Sequence, residues 1–161
     1  MIDLAIYQPS AAYAQRAFDG DVAASAAAVS SMPSSLVQDR YQPAYDGAVA
    51  ELDGLEPLVR DPRDTHALHL YVLRVDPERA GASRDEYQQA LADEQIGTSI
   101  HFLAVHRLTY YRERYPDQPR LPVAERAAGE VLSLPLSPAH SAGDIEDAID
   151  ALRRVHGRFT A

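Results

Sequence analysis

The sequence lacks two residue types that carry much of protein chemistry, cysteine and lysine. Without cysteine, the chain has no disulfide framework, no thiolate zinc site and no cysteine nucleophile. All 15 of its Lys or Arg residues are arginine, so no side chain can form a Schiff base with an aldehyde cofactor or a carbonyl substrate. Covalent catalysis of that kind is therefore excluded for this chain's own side chains.

Positive charge and long apolar runs are also scarce. The chain of 161 residues has 15 basic and 24 acidic residues and a net charge of −9. This balance argues against a nucleic-acid-binding surface and a polybasic membrane anchor. No apolar run approaches the roughly 20 residues of a membrane span, and the first residues lack the pattern of a secretory signal. We expect a cytoplasmic protein of one domain, or of one small domain and a tail, without a nucleic-acid or membrane partner.

Composition divides the chain near residue 33. The stretch 23–28 consists only of alanine and serine, and residues 1–33 have few large apolar side chains to bury. This composition favours an Ala/Ser-rich tail or a loosely docked helix, joined to the rest by a linker at residues 30–35. The globular domain is expected to span residues 34–161.

Apolar patterning and turn residues predict an α/β (α+β) sandwich with three short, mostly antiparallel strands and flanking helices. The predicted strands cover residues 67–75, 98–102 and 131–136. The predicted helices cover residues 36–53, with a kink or a late start at Pro43, and residues 84–93, 105–115, 122–130 and 142–156. Their start and stop signals are the capping box Ser83–Glu86, Pro122 in a first turn, the N-cap Ser141 and the stop Gly157.

Common catalytic motifs are missing from the sequence. There is no glycine-rich phosphate loop and no Gly-x-Ser-x-Gly nucleophile elbow. The acidic residues of 144–150 fit a helix N-terminus and a solvated face better than a paired-carboxylate site. His66 and His69 lie three residues apart, a spacing that on a strand directs two side chains to opposite faces. We therefore expect no metal site: one ring packs and the other hydrogen-bonds at the strand edge.

Histidine, tyrosine and arginine are concentrated between residues 101 and 114. His101 ends a predicted strand, and His106 begins a predicted helix that continues with Tyr110, Tyr111 and Arg112. Arginine binds phosphate through paired N–H groups and tyrosine stacks on a base or sugar, so these residues would form an anion-binding rim. The alternative is a solvated helix end with one core tyrosine, which composition and spacing alone favour.

Residues 97–116 resemble a stretch of the DegT/StrS-type PLP-dependent sugar aminotransferases. In both, Gly and Thr precede a histidine, a second histidine follows five residues later, and a pair of tyrosines comes after it. Within that family, the amino-acid sequence of residues 96–116 is most similar to that of the UDP-4-amino-4-deoxy-L-arabinose aminotransferase branch.

Three further segments resemble the same family in the same order, so the resemblance covers residues 36–157. They are residues 66–71, similar to a His-x-Trp-His strand with Leu68 where Trp is usual, residues 121–126, similar to an LP-x-A-E helix start, and residues 132–136, similar to an LSLPL strand. The resemblance implies the small C-terminal domain of a fold-type I aminotransferase.

The resemblance also implies a function for the family and a restriction on this chain. Family members use PLP, held by a lysine of a large N-terminal domain, to move an amino group from glutamate to a keto-sugar nucleotide. This chain has no lysine, so we expect no bound cofactor, no catalytic residue, no metal and no transaminase activity for the chain alone. The residues expected to contact the nucleotide-sugar substrate are His101, Phe102 packing beneath, His106, Tyr110, Tyr111 and Arg112.

Three interpretations remain open on the sequence. The chain is a truncated or frame-disrupted sugar aminotransferase, one half of a split enzyme whose large domain is a separate chain, or a non-catalytic binding module. In each, the face with part of strand 67–75 and the loop 101–111 would be exposed and apolar. We therefore expect a homodimer, a PLP-domain partner chain or low solubility.

Overall fold

The computed structural model describes residues 34–63, 66, 69–137 and 139–161, with the backbone alone for residues 34–40. From Ser34 to Ala161 these residues form one structural unit. The predicted tail at residues 1–33 lies outside the described residues, so it stays a prediction.

Three short strands form an antiparallel sheet, which confirms the expected fold class. Strand β1 is Leu55–Pro57, β2 is Tyr71–Val75 and β3 is Val131–Leu134, in the order β1-β2-β3. Leu55 pairs with Val75, and Leu73 pairs with Leu132. Strand β2 begins later than predicted, because residues 69 and 70 form a bend.

The identity of one strand was predicted wrongly. Residues 98–102 form no strand: Ser99 alone pairs with Ser133, through N···O distances of 3.1 and 2.8 Å. The chain then leaves the edge of β3, so one bridge is all that this segment contributes to the sheet. The third strand is β1, a three-residue segment that ends in proline and lacks the alternating pattern by which a strand is recognised.

Six α-helices surround the sheet in the described part of the chain. They are α1 Ser34–Val49, α2 Pro77–Ala80, α3 Arg84–Asp93, α4 Thr109–Arg114, α5 Pro122–Glu130 and α6 Ala142–Phe159, with a 3₁₀ turn at Val105–Arg107 before α4. The capping box of Ser83 and Glu86 and the first-turn position of Pro122 are confirmed. Helix α1 contains Pro43 and ends four residues before its predicted end.

The last helix continues past its predicted stop. Ser141 is the N-cap of α6, as predicted, and it forms a capping box with Asp144. Gly157, however, lies inside the helix, which ends only when the backbone N–H and hydroxyl of Thr160 bond to the carbonyl of His156. A glycine stops a helix when it adopts a left-handed conformation, and Gly157 does not.

The two faces of the sheet differ in character. Alternate residues of β2 are buried against a core shared with α1, α3 and α6, in which Tyr45, Leu73, Tyr87, Leu132 and Leu152 are fully enclosed. The other face carries Val72, Arg74 and, opposite Val72 on the neighbouring strand, Ser133. Arg74 binds Glu130 of α5 there at 2.8 Å. This second face supports the candidate site.

No helix among the described residues has the length and apolar character needed to cross a membrane.

Candidate functional site

His101 is held against the second face of the sheet. The bridge between Ser99 and Ser133 brings the chain along the edge of β3, and His101 Nδ1 lies 2.9 Å from Ser133 Oγ. The imidazole meets the Phe102 ring edge-on, with centroids 4.9 Å apart. Phe102 is 73% exposed, so most of its ring faces solvent beside His101.

His106 belongs to a different set of contacts. Its Nε2 lies 3.4 Å from Glu125 Oε1, and its carbonyl accepts a 2.6 Å hydrogen bond from Gln118. These contacts connect the 3₁₀ turn to the first turns of α5 through Glu125 and to the preceding loop through Gln118. Among the described residues, no hydrogen bond joins His106 to His101, so the two predicted site histidines are positioned independently.

Glu125 is the centre of this second set. Desolvation raises the pKa of the Glu125 carboxyl, but hydrogen bonds from the Leu121 N–H and from His106, and the charges of Arg120 and Arg107, outweigh it. The net effect is a pKa below the usual range. A carboxylate that stays charged keeps α5 and the 3₁₀ turn together.

Helix α4 presents the remaining predicted site residues at the surface. The Tyr110 and Tyr111 rings meet at right angles with centroids 5.3 Å apart, and both residues are exposed. Arg112 follows on the same exposed helix. The core tyrosine that the alternative interpretation required is therefore absent from α4, whose described residues include no buried side chain.

Large apolar side chains are exposed along residues 102–123, here called the apolar segment. Its exposed members are Phe102, Leu103, Val105, Leu108, Tyr110, Tyr111, Tyr115, Leu121 and Val123. The sequence also predicts that part of strand 67–75 is exposed and apolar. Strand β2 is less exposed than that, since its alternate residues lie in the core and Val72 is half-buried.

His66 and His69 lie around one cavity of about 170 Å³, together with Arg60 and Tyr71. Strand alternation, on which the prediction for their side chains rested, does not apply at His69, because His69 lies in the bend before β2. No group of three or more His, Asp or Glu residues in the described ranges is arranged to hold a metal ion.

Asp46 links the wall of this cavity to helix α1. Its carboxylate accepts hydrogen bonds from Arg60 at 2.7 Å, from the Tyr71 hydroxyl at 2.7 Å and from Gln42 at 3.1 Å. Desolvation raises the pKa of Asp46, but these hydrogen bonds outweigh it and keep the pKa below its usual value. The Arg60 head group at the cavity is thus already engaged by a carboxylate, which weakens it as an anion ligand.

Three residues that hold the predicted site were not predicted. Ser133 contacts His101, and Glu125 and Gln118 contact His106. One local signal existed for Ser133, which is the polar member of an otherwise apolar strand. Glu125 is the glutamate of the LP-x-A-E helix start, a motif that does not indicate its contact with His106, and Gln118 had no signal.

The sequence profile of the DegT/DnrJ/EryC1/StrS aminotransferase family matches residues 35–153, well over half of the chain. The chain belongs to this family. That membership agrees with the antiparallel sheet and flanking helices, which recur in solved sugar aminotransferases.

Three solved structures illustrate the similarity. The aminotransferase TlmJ from Streptoalloteichus hindustanus is 29% identical with a TM-score of 0.67, over 78% of this chain and 32% of that one. DesI, crystallised in the presence of its TDP-sugar product, is 31% identical with a TM-score of 0.65, over 74% and 31%. DesV from S. venezuelae, in complex with a ketimine intermediate, is 29% identical with a TM-score of 0.62, over 76% and 31%. The chain spans about a third of the length of the structures it matches.

The chain does not fit the cofactor of its family by itself. The family is PLP-dependent, and one of the structural neighbours was solved in a PLP form. Covalent attachment of PLP requires a lysine amine, and none of the 161 residues is lysine. No step through PLP can therefore be assigned to this chain's own residues.

Proposed function

We propose that this chain is the substrate-side part of a PLP-dependent nucleotide-sugar aminotransferase and is inactive as a transaminase alone. In this proposal His101, Phe102, His106, Tyr110, Tyr111 and Arg112 line the nucleotide-sugar site. The observation that carries this proposal is the hydrogen bonding of the two ring nitrogens of His101. Its Nδ1 is engaged by the protein, whereas its Nε2 has no described partner and is not enclosed.

The neighbouring side chains suit the parts of a nucleotide sugar. Exposed tyrosine and phenylalanine rings stack on bases and sugars, and a free arginine head group binds phosphate through paired N–H groups. Phe102 and Tyr110 supply exposed rings, and Arg112 supplies the guanidinium. His106 acts in this proposal through its backbone segment, because its ring is engaged by Glu125.

Amino transfer itself needs a lysine-bearing domain that this chain does not supply. The apolar segment at residues 102–123 supports a docking role toward such a PLP-domain chain or toward a second copy. The split enzyme is therefore favoured over a binding module that works alone. The amino donor in this proposal is glutamate and the acceptor a keto-sugar nucleotide, as the family resemblance implies.

The proposal also includes the identity of the nucleotide in the nucleotide sugar. Similarity of residues 96–116 to the UDP-4-amino-4-deoxy-L-arabinose branch favours a UDP-sugar, whereas DesI was solved with a TDP-sugar product. Comparing the two nucleotides on this chain separates these alternatives. Tighter binding of the UDP-sugar is expected.

The test of the site is an NMR titration of the chain with UDP-glucose and with TDP-glucose. Resonances of His101, Phe102, Tyr110 and Arg112 are expected to shift, and His101→Gln and Arg112→Gln are each expected to weaken binding about tenfold, or roughly 1.4 kcal/mol. Arg63→Gln is the control, since Arg63 is an exposed arginine paired with Asp61 elsewhere. Shifts confined to other residues would contradict the site.

The test of inactivity is an assay of the purified chain with PLP, glutamate and a keto-sugar nucleotide. No 2-oxoglutarate should accumulate above the rate without protein, because the chain has no lysine side chain to carry the cofactor. Turnover that depends on both PLP and glutamate would overturn this part of the proposal.

A further inference from the structure

Ser133 is an unusual residue for its position. It lies in strand β3 between Leu132 and Leu134 and is only 3% exposed. Its backbone pairs with Ser99, and its hydroxyl has one described partner, His101 Nδ1 at 2.9 Å. A buried hydroxyl in an apolar strand therefore serves the histidine ring and no other described side chain.

Two arrangements of protons are compatible with this distance. In one, the Ser133 hydroxyl donates to an unprotonated Nδ1; in the other, a protonated Nδ1 donates to the Ser133 oxygen. The second leaves the buried hydroxyl proton without an acceptor among the described residues, and an unsatisfied buried donor costs about 1–3 kcal/mol. The first arrangement satisfies both groups.

We infer that Ser133 is a positioning residue that holds His101 in the tautomer with the proton on Nε2. His101 then presents an N–H donor beside the exposed Phe102 ring. A ligand at this position must offer an oxygen that accepts a hydrogen bond, such as a phosphate, hydroxyl or carbonyl oxygen of a nucleotide sugar. The ligand class rests on the proposed function, whereas the tautomer does not.

The experiment is long-range ¹H–¹⁵N NMR of the histidine rings in the full chain near pH 8, with His101→Gln assigning the signals. In the wild type, Nδ1 of His101 is expected at the shift of an unprotonated nitrogen and Nε2 at that of a protonated one. Ser133→Ala should average the two shifts, and Ser133→Thr, which keeps the hydroxyl, should restore the wild-type pattern. A wild-type proton on Nδ1, or no change in Ser133→Ala, overturns the inference.

Ser99→Ala is the matched control, because it keeps the backbone bridge and the Ser133 hydroxyl. It should leave the His101 pattern unchanged, and a change equal to that of Ser133→Ala would overturn the inference. If Ser133→Ala fails to fold, the wild-type pattern still decides, since a proton on Nδ1 contradicts the inference without any variant.

Ligand titration separates the inference from the proposed function. Ser133→Ala is expected to weaken binding of UDP-glucose three- to tenfold, and Ser133→Thr to preserve it. A shift of His101 with UDP would place the acceptor oxygen in the nucleotide, and a shift with UDP-glucose but not with UDP would place it in the sugar; either supports the donor role. A wild-type chain with its proton on Nε2 that binds neither probe would overturn the proposed function and leave the tautomer assignment intact.

Discussion

His156 is a titratable residue inside the core rather than at the candidate site. Its Nδ1 lies 2.8 Å from the Tyr87 hydroxyl, which donates to the Ala80 carbonyl at 3.0 Å. Burial lowers the pKa of His156, with partial opposition from the charge of Asp53, and burial raises the pKa of Tyr87 to about 12. Both groups are therefore neutral in the folded protein near neutral pH.

The lowered pKa of His156 predicts a loss of stability in mild acid. The unfolded chain binds a proton near pH 6.5 that the folded chain binds only at lower pH, so the unfolded state holds more protons between those values. The contribution of His156 to the free energy of unfolding should be fully present above this pH window. The free energy of unfolding should then fall as pH decreases through the window, by at most about 1.4 kcal/mol per pH unit for one group. Urea unfolding at several pH values measures it.

His156→Gln should flatten that pH dependence, and His69→Gln, which alters an exposed histidine, should preserve it. An equal slope in His156→Gln and wild type would show that another group is responsible.

The proposed site residues were chosen from the sequence, whereas the residues that support them were not. His101 and His106 were chosen because they share one continuous motif. Ser133 is 32 residues from His101, and Glu125 is 19 residues from His106. Contacts across such separations depend on strand pairing and helix packing, which a local pattern does not specify.

At the scale of elements, two glycines should respond differently to replacement by alanine, because Gly81 ends a helix in a left-handed conformation and Gly157 lies inside a helix. Gly81 ends α2 with φ of +77°, and an added Cβ would lie 2.2 Å from the Phe159 carbonyl oxygen. Gly81→Ala should lower the free energy of unfolding by at least about 2 kcal/mol, from left-handed strain and this clash. Chemical denaturation measures the change.

Gly157→Ala is the control, because Gly157 lies within α6 and an added Cβ would meet no atom within 4 Å outside its chain neighbours and the backbone of its own helix. Alanine has the higher helix propensity, so this variant should gain about 1 kcal/mol. Similar losses for both variants would contradict the different conformations assigned to the two glycines.

Helices with local end signals could be predicted, and so could strands β2 and β3 from their apolar runs, whereas β1 could not. The Ser83–Glu86 capping box and Pro122 define helix starts through contacts within one turn. Strand β1 forms because it pairs with β2, with Leu55 opposite Val75. Residues 98–102 do not form a strand because only Ser99 is paired. Strand formation depends on a partner remote in sequence, whereas a helix cap depends on its own neighbours.

At the scale of the whole molecule, charge and exposed apolar area favour different behaviour. A net charge of −9 opposes association between copies of the chain. The apolar segment at residues 102–123 favours association, and it includes the proposed site residues Phe102, Tyr110 and Tyr111. Association through this segment would place the proposed site at an interface.

The apolar segment predicts self-association that selected surface substitutions remove. Leu103 and Val105 are 58% and 54% exposed and are not among the proposed ligand contacts, so Leu103→Ser with Val105→Ser should reduce association and leave ligand binding intact. Sedimentation velocity over a range of concentrations measures the mass. Val59→Ser is the control, because Val59 is 99% exposed but lies outside the segment. A wild-type chain that remains a monomer at high concentration would contradict self-association and restrict the segment to a different, lysine-bearing chain.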